Sequence, residues 1–550
     1  MKKIAPNMVD YEKTRKEFKF NVPEFFNFTT DVIEKWAKDP KRVGLVIADA
    51  HGENFEEFTF AQLAGKANQF AQALLKRGVR KGENVIVILP RIHQWYAALL
   101  GMFKTGVIPV PTTGQSTARD ILYRIQKAEA VAVVTDEENA AKIDEIEEQA
   151  GSLKLKFLAG SGKKRDSWID FDKAIAEEST KFAVTEKTRS SDPMLIYFTS
   201  GTVAYPKMVL HSQEYAIGHE VTARFWHDLH PSDLHWTMTD TGWAKAAWGC
   251  IFGQWIVGAK VFLHNSPRFE AKTTLKLLEK VGVTSFCAPP TIYRIFAQEE
   301  LGKYKFSSLR HCTSAGEPLN PEVIKVWKEA TGCLIYDGYG QSETVNVVAN
   351  YRCLANKPGS MGKPVPGFEV GVIDETGNEV AVNEEGVIAI KRKPVHPTGL
   401  FQEYWKDENA TASVFYKDWY LTGDKARVDE DGYFWFIGRS DDIILTSGYR
   451  IGPFEVENAL IEHPAVMEAA VVASPDDVRG EIVKAFVILS AGYEPSAQLV
   501  EELQKYVRKV TAPYKYPRKI DFVKELPKTI SGKIRRGELK RKEWENYSRK

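Results

Sequence analysis

Short apolar segments that run into glycine-, proline- or serine-rich loops alternate with helical stretches through the first half of this chain. "NVIVILP" at 84–90 is such a segment, and "HQWYAALLGMFKTG" at 93–106 has the pattern of a helix that ends at a glycine. "VIPVPTT" and "AVAVVTD" continue the series. Strand–helix–strand alternation predicts a largely parallel sheet with helices on its faces. Ligands bind at the carboxyl ends of such strands, so a site is expected in these loops.

The pattern changes beyond about residue 360, where apolar and polar residues alternate between turn signals, as in antiparallel strands. After "GRSDDIILTSGYRIG" the sequence is typical of a separate small α+β unit. We therefore predict an α/β domain over 1–438, with mostly parallel sheets, flanking helices and a small β-barrel-like subdomain. The polar stretch 439–442 is predicted to be a hinge, and 443–550 a mobile C-terminal α+β domain.

Composition excludes several classes of protein. A formal net charge of +1 gives no overall electrostatic reason to bind nucleic acid. There is no run of about eighteen apolar residues, so no membrane-spanning helix is expected. The N-terminal sequence lacks the apolar core of a signal peptide, and the five cysteines are scattered without a CxxC pair. We expect a cytoplasmic protein with reduced thiols and small-molecule substrates; a homo-oligomer is left open.

The segment "YFTSGTVAYPK" at 197–207 concentrates hydroxyl groups, a glycine and a lysine directly after an apolar strand. Such a loop offers donors to phosphate oxygens, although GxxxxGK[ST] is absent. Taken alone, the segment is equally consistent with an ordinary polar turn. The candidate phosphate ligands are Thr199, Ser200, Gly201, Thr202 and Lys207.

Four further motifs follow: "SAGEPLNPE" at 314–322, "YDGYGQSET" at 336–344, "YLTGD" at 420–424 and "LPKTISGKIRR" at 526–536. The second ends in Glu343, a carboxylate that could hold Mg²⁺ on a triphosphate or merely cap a helix. Asp424 follows a Thr-Gly turn, where its carboxylate could accept both ribose hydroxyls. Lys533 is presented by a tight Ser-Gly turn, which could also be an ordinary loop tip.

In this order and spacing the motifs resemble those of the adenylate-forming (AMP-binding) enzymes, from about residue 40 to 540. With "VTAPYKYPR", the C-terminal motifs look most like the medium-chain acyl-CoA synthetases, including archaeal members that activate short branched acids. The resemblance implies a ligase of fatty acid metabolism that uses ATP, Mg²⁺ and coenzyme A. A carboxylate attacks the α-phosphate of ATP, pyrophosphate leaves, and the thiol of CoA then displaces AMP from the acyl-adenylate.

The resemblance also implies roles for the nucleotide-binding residues. Residues 199–207 would cradle the β- and γ-phosphates, and Glu343 would bind Mg²⁺. Asp424 would hold the ribose, with Arg439 beside it, and Lys533 would reach the α-phosphate and the attacking carboxylate. The remaining residues expected around adenine and the α-phosphate are Gly316, Glu317, Pro318, Asp337, Gly338, Tyr339, Gly340, Gln341 and Ser342.

For the second step the resemblance implies that the small domain pivots at Asp441 and brings "TSGYR" to the site. Arg450 would meet phosphate there. The residues implied for CoA are Gln115, Ser447, Gly448, Tyr449, Arg479 and Arg508. A basic residue near the 3′-phosphate makes electrostatic sense, although Arg479 and Arg508 could equally be surface charges.

The acyl pocket is expected around Trp243, Lys245, Trp248 and Gly340. Acetate-specific relatives have tryptophan at the position of Gly340, so glycine leaves room for a longer or branched acid. The two tryptophans are expected to limit chain length. Lys245 is either an outward surface residue or a residue near the pocket.

Three alternatives stay open: an aryl-acid CoA ligase, an adenylation domain that loads a carrier protein, and a catalytically impaired nucleotide-binding relative. The last rests on Val203 and Ala204, and more faintly on Ser342, where the family usually has Thr. An alanine forced into a left-handed conformation costs roughly 1–2 kcal/mol. The other motif residues are retained, which favours an active enzyme.

Overall fold

A nine-stranded sheet forms the centre of the N-terminal part. The computed structural model describes residues 4–548 apart from 161, 163, 185, 200–205, 318, 447–448, 478 and 530–532, and only the backbone of Arg450, Pro513 and Ser548. In spatial order the strands are Lys363–Pro364, Val348–Ala349, Ile335–Tyr339, His311–Ala315, Ser285–Ala288, Leu234–Thr237, Lys260–His264, Val43–Ala48 and Phe55–Thr59. The six strands from Ile335–Tyr339 to Val43–Ala48 pair in parallel, and the edge strands are antiparallel.

A second sheet is parallel throughout. Its strands, in spatial order, are Ile108–Pro111, Asn84–Ile88, Ala132–Thr135, Leu155–Leu158 and Ile169–Asp170. The strand Asn84–Ile88 is buried along its whole length, because helices cover both faces of a parallel sheet.

Two antiparallel sheets complete the N-terminal part. The smaller has three strands, Glu403–Tyr404, Met208–Ser212 and Pro193–Phe198. The larger occupies the region for which a barrel-like subdomain was predicted. Its strands run in the order Val370–Ile373, Gly386–Lys391, Trp419–Val428 and Phe415–Tyr416, with Phe434–Arg439 paired to Trp419–Val428.

The C-terminal part has a sheet and an apolar core of its own. Its strands run in the order Tyr449–Ile451, Ile444–Thr446, Gly480–Leu489 and Val466–Asp476, and Lys519–Phe522 pairs in parallel with Gly480–Leu489. The short turn Ser440–Asp442 joins this part to the strand Phe434–Arg439. The domain boundaries stay predictions.

Helices pack on the sheets along the whole chain. His93–Thr105 is buried on almost every residue and ends at Gly106, whose φ of 72° is left-handed, as the sequence pattern predicted. Phe60–Lys76 begins with a reciprocal cap between Thr59 and Gln62. The other helices are Tyr11–Glu17, Glu34–Trp36, Ala118–Ala128, Glu137–Asp144, Phe171–Ala176, Glu214–Val221, Phe252–Ile256, Ala271–Val281, Pro290–Phe296, Pro321–Thr331, Glu408–Val414, Pro453–Ile461, Ala497–Val510 and Arg536–Ser548.

The predicted fold class, a large α/β part with mostly parallel sheets and a smaller α+β part, is confirmed. Over the described residues, no helix combines the length and the apolar character needed to cross a membrane.

Candidate active site

The two ends of the predicted phosphate loop are bonded to each other. The backbone N–H of Thr199 donates to the carbonyl of Lys207 at 2.9 Å, and the N–H of Lys207 donates to the hydroxyl of Thr199 at 3.0 Å. These bonds continue the antiparallel pairing of Pro193–Phe198 with Met208–Ser212. The pairing of the two strands therefore extends to Thr199 and Lys207, and Lys207 is exposed.

Glu343 is buried at the end of the segment that follows the strand Ile335–Tyr339. The hydroxyl of Tyr404 donates to its Oε1 at 2.8 Å. Burial raises the pKa of this carboxyl, while the bond from Tyr404 and the charges of Arg439 and Lys207 act in the opposite direction. His211 fixes the adjacent backbone, since its Nε2 lies 2.8 Å from the carbonyl oxygen of Ser342.

Asp424 accepts hydrogen bonds from three side chains. The hydroxyl of Tyr339 lies 2.6 Å from Oδ2, and Nε2 of Gln341 lies 2.7 Å from the same oxygen. Nε of Arg439 approaches Oδ1 at 3.2 Å, because the two residues face each other across paired strands. Tyr420 in turn donates to Oε1 of Gln341 at 2.8 Å. The carboxylate that was predicted to hold the ribose is thereby fixed in orientation.

The predicted adenine residues lie at the carboxyl ends of two neighbouring parallel strands. Glu317 accepts from the hydroxyl of Thr291 and from Arg294, each at 3.1 Å, and Gly316 has a φ of 111°. Asp337 is buried, and its Oδ1 has no hydrogen-bond partner among the described residues. Burial raises the pKa of its carboxyl well above the ordinary range. An unpartnered buried oxygen is a suitable acceptor for a ligand N–H.

Lys245 points inward, which settles the choice that the sequence left open. Its amine donates to the carbonyl of Ala315 at 2.9 Å and lies near Cys287, Glu317 and Asp337. Burial lowers the pKa of this amine, and its neighbours Cys287, Glu317 and Asp337 oppose that change. The lysine therefore lies beside the predicted adenine residues Glu317 and Asp337.

The space beside Gly340 is filled by Trp248. A Cβ atom at this position would lie 2.5 Å from the indole of Trp248 and 2.4 Å from the carbonyl oxygen of Val345. Trp226 similarly fills the space beside Gly338, and the two indoles meet edge to face at 6.0 Å. The space immediately next to Gly340 is therefore occupied by Trp248, and the room that the glycine leaves for the acid stays a prediction. Trp243 is half-buried one turn earlier.

Lys533 of the C-terminal part meets the N-terminal site. Its amine lies close enough to Arg439, Glu317 and Asp424 for their charges to act on it. The side chain is accessible to solvent although protein surrounds it, as expected at the mouth of a cleft. Crowding by protein, together with Arg439, lowers the pKa of the amine. Positive charge at this place suits a phosphate group.

The turn that carries Lys533 is held by bonds on both sides. The N–H of Lys533 donates to the hydroxyl of Thr529 at 3.0 Å, and the N–H of Thr529 donates to the carbonyl of Lys533 at 2.7 Å. Just beyond, Arg536 forms a two-pronged ion pair with buried Glu457, at 2.9 and 2.6 Å. A bidentate pair fixes the direction of the chain better than a single contact.

The residues predicted for CoA are only partly brought together. Tyr449 and Arg479 line one small cavity with Thr446, Val483, Tyr514 and Arg518, all of the C-terminal part. The rings of Tyr449 and Tyr514 stack at 4.2 Å. Arg508 lies outside this lining, with its guanidinium 3.7 Å from the ring centre of Tyr516, and Gln115 is exposed after the strand Ile108–Pro111.

Comparisons with known proteins agree with this geometry. A family model described as AMP-binding enzyme matches residues 33–405, and one described as AMP-binding enzyme C-terminal domain matches 455–533. The chain belongs to the AMP-binding enzyme family. It is 45% identical over 548 residues to the human protein "Acyl-coenzyme A synthetase ACSM3, mitochondrial", covering 98% of this chain and 93% of the relative.

Solved structures of similar proteins are CoA ligases. The anthranilate CoA ligase AuaEII in complex with anthranoyl-AMP has a TM-score of 0.88 and 30% identity, covering 96% of this chain and 99% of its own. The Brucella canis acyl-CoA synthetase has a TM-score of 0.76 and 35% identity, covering 98% and 100%. The protein is therefore an ATP-dependent, AMP-forming acid–CoA ligase that acts through an acyl-adenylate. Its substrates are small molecules: an acid, ATP with Mg²⁺, and CoA.

Several predicted residues of this AMP-binding enzyme lie outside the described residues: Ser200, Gly201, Thr202, Val203, Ala204, Pro318, Ser447, Gly448 and the side chain of Arg450. In the part of the chain that is described, no three His, Cys, Asp or Glu side chains gather closely enough to hold a metal ion.

The site also contains residues that sequence reasoning missed, namely Tyr404, Tyr420, His211 and Arg294. Each contacts a predicted site residue through its side chain. Tyr404 lies in a strand whose pairing partner, Met208–Ser212, is distant in sequence. Tyr420 lies in a strand that pairs with Gly386–Lys391 and with the adjacent Phe415–Tyr416. Tyr420 belongs to the motif "YLTGD", although the sequence indicated no role for its side chain. No local motif marks Tyr404, which only the folded sheet brings to the site.

Proposed function

We propose that the acid activated by this ligase is a short- to medium-chain aliphatic carboxylic acid, straight or branched. The contact of Trp248 with Gly340 supports this substrate class, because the indole limits the depth of an apolar pocket beside the nucleotide. A pocket bounded by tryptophans gains about 0.8 kcal/mol for each methylene that it buries, until the wall is reached.

For the first step we propose that Lys207 and the hydroxyls of its loop bind the β- and γ-phosphates, and that Asp424 binds the ribose hydroxyls. Lys533 stabilises the negative charge on the α-phosphate as the carboxylate oxygen attacks. The P–O bond to pyrophosphate then breaks and the acyl-adenylate remains. The proximity of the Lys533 amine to Asp424 and Glu317 supports the placement of this lysine at the α-phosphate. Fixed charges of this kind act mainly through positioning and electrostatic stabilisation.

We propose Glu343 as the protein ligand of Mg²⁺. The ion fits this site, because Mg²⁺ is usually bound by one or two carboxylates together with substrate phosphates. Glu343 is one buried carboxylate beside the predicted phosphate loop. When bound, Mg²⁺ neutralises charge on the phosphate oxygens.

For the second step we propose that residues 443–550 pivot at Asp441, so that Lys533 leaves and the edge with Tyr449 and Arg450 reaches the adenylate. The thiolate of CoA then attacks the acyl carbonyl and AMP leaves. Supporting this, Tyr449 and Arg479 share a cavity whose lining contains no residue of the N-terminal part. The cavity offers an aromatic face and a guanidinium, which suit the nucleotide end of CoA.

The substrate class is tested by measuring pyrophosphate release with straight, branched and aromatic acids, with and without CoA. We expect aliphatic acids of intermediate length to have the highest kcat/KM. A preference for aromatic acids would replace this proposal with an aryl-acid CoA ligase, like the similar anthranilate CoA ligase. Absence of turnover with every acid, despite ATP binding, would indicate the impaired relative.

We further propose a cytoplasmic location. All five cysteines are free thiols, as is usual in a reducing compartment. Recovery of the activity inside a membrane-enclosed fraction of the producing cells would contradict this location.

A further inference from the structure

Tyr404 contacts two residues of the proposed triphosphate site at once. Its hydroxyl donates to Oε1 of Glu343 at 2.8 Å, and the amine of Lys207 lies 4.5 Å from the centre of its ring. Tyr404 is 4% exposed and Glu343 is buried, so their bond forms where there is little water, whereas Lys207 reaches the ring from an exposed position. Tyr404 thus joins the phosphate loop to the carboxylate through one rigid ring.

The position of Tyr404 is set by sheet pairing. The strand Glu403–Tyr404 lies antiparallel to Met208–Ser212, with Tyr404 opposite Val209. Val209 is two residues from Lys207, and the N–H of Trp405 donates to the carbonyl of Met208 at 2.8 Å. The N–H of Phe401 donates to the carbonyl of Glu343 at 2.8 Å. The same short segment therefore contacts both sides of the site through its backbone.

The two contacts act in different physical ways. A phenol donating to a carboxylate fixes the rotation of that carboxylate and favours its ionised form. The face of an aromatic ring attracts an ammonium group, most strongly where water is excluded. Replacing Tyr by Phe removes the first contact and keeps the second, whereas Leu removes both.

We propose that Tyr404 is a positioning residue. It keeps the carboxylate of Glu343 and the amine of Lys207 in the relative position in which both can bind the same metal–triphosphate. This inference rests on the roles proposed above for Glu343 and Lys207. Tyr404 itself touches neither the reacting carboxylate nor the α-phosphate in this scheme, so it acts through its two partners.

The first test is Tyr404→Phe in the full-length enzyme. We expect binding of Mn²⁺, measured by electron paramagnetic resonance with α,β-methylene-ATP present, to weaken about tenfold, as for loss of a hydrogen bond to a charged group. The Mg²⁺ concentration for half-maximal activity should rise in parallel, while KM for the acid and for CoA stays unchanged. The matched control is Tyr11→Phe, since Tyr11 is also 4% exposed and donates to a backbone carbonyl, that of Pro364, at 2.7 Å.

The second test is Tyr404→Leu, which should also raise KM for ATP above that of Tyr404→Phe, because Lys207 loses the ring. Glu343→Gln distinguishes the positioning role of Tyr404 from the metal-binding role of Glu343. If Glu343→Gln weakens Mn²⁺ binding and Tyr404→Phe does not, the positioning role is overturned and the proposed site stands. If neither variant changes Mn²⁺ binding, the metal role of Glu343 fails and the inference fails with it. Equal effects of Tyr404→Phe and Tyr11→Phe would also overturn the inference, since they would indicate a general loss of packing.

Discussion

At the scale of single residues, Gly340 was recognisable in the sequence but its consequence was not. A motif comparison indicates that a large side chain is missing there, whereas only the folded chain reveals that Trp248 occupies the vacated space. Trp248 is separated from Gly340 in sequence and reaches it from a segment preceding the helix Phe252–Ile256. The size of the acid pocket therefore depends on the pair and not on the glycine alone.

Trp248→Leu should move the acid preference toward longer chains. Removing the indole opens space beside Gly340, and each additional buried methylene adds about 0.8 kcal/mol, or about fourfold in kcat/KM. The measurement is kcat/KM across a series of straight-chain acids. Trp248→Phe should produce a smaller shift in the same direction, and an unchanged preference in both variants would show that the acid binds elsewhere.

At the scale of elements, the sequence predicted where the motifs lie, but it did not predict which distant side chains contact them. Strands ending at Ala315 and Tyr339 lead into the predicted loops, because apolar runs bounded by glycine and proline are strong local signals. Tyr404 and Tyr514 escaped prediction, since their importance comes from partners in distant elements. Lys245 could not be oriented from sequence, because a lysine in an apolar segment can point either way until its helix is packed.

Arg479→Gln should weaken the use of CoA without affecting adenylation. Arg479 lines the cavity beside Tyr449, and loss of a hydrogen bond to a charged group costs about 1.5–3 kcal/mol, or roughly 10- to 100-fold in kcat/KM for CoA. Pyrophosphate release without CoA should be unchanged. Arg189→Gln is the control, since this surface arginine pairs with Glu24 in the N-terminal part. Equal effects of the two substitutions on CoA use would contradict the assignment.

At the scale of the whole molecule, the residues proposed for the two chemical steps lie in different surroundings. Lys533 faces Asp424 and Glu317, while Tyr449 and Arg479 line a cavity formed by the C-terminal part alone. Both sets belong to residues 443–550, and the proposed mechanism brings each of them to the adenylate in turn. Two arrangements are therefore expected, one for each chemical step.

Lys533→Ala should abolish adenylation and spare thioester formation. The variant loses the charge near the α-phosphate, which we expect to slow pyrophosphate release at least about 100-fold, the usual scale for removing one stabilising group. Thioester formation from a supplied acyl-adenylate and CoA should proceed at close to the normal rate. Comparable loss of both activities would refute the assignment of Lys533 to the first step alone.

The strand Ile335–Tyr339 and the residues after it separate two kinds of contact. Asp337, Tyr339 and Gln341 make or offer polar contacts, whereas Gly338 and Gly340 abut Trp226 and Trp248. Successive side chains of a strand point to opposite faces, so in the proposed site a single thickness of backbone divides the nucleotide from the acid. Mutations on the tryptophan face can then alter which acid is chosen while the opposite face keeps its grip on ATP. Such a partition lets acid specificity diversify in evolution without rebuilding the machinery that activates it.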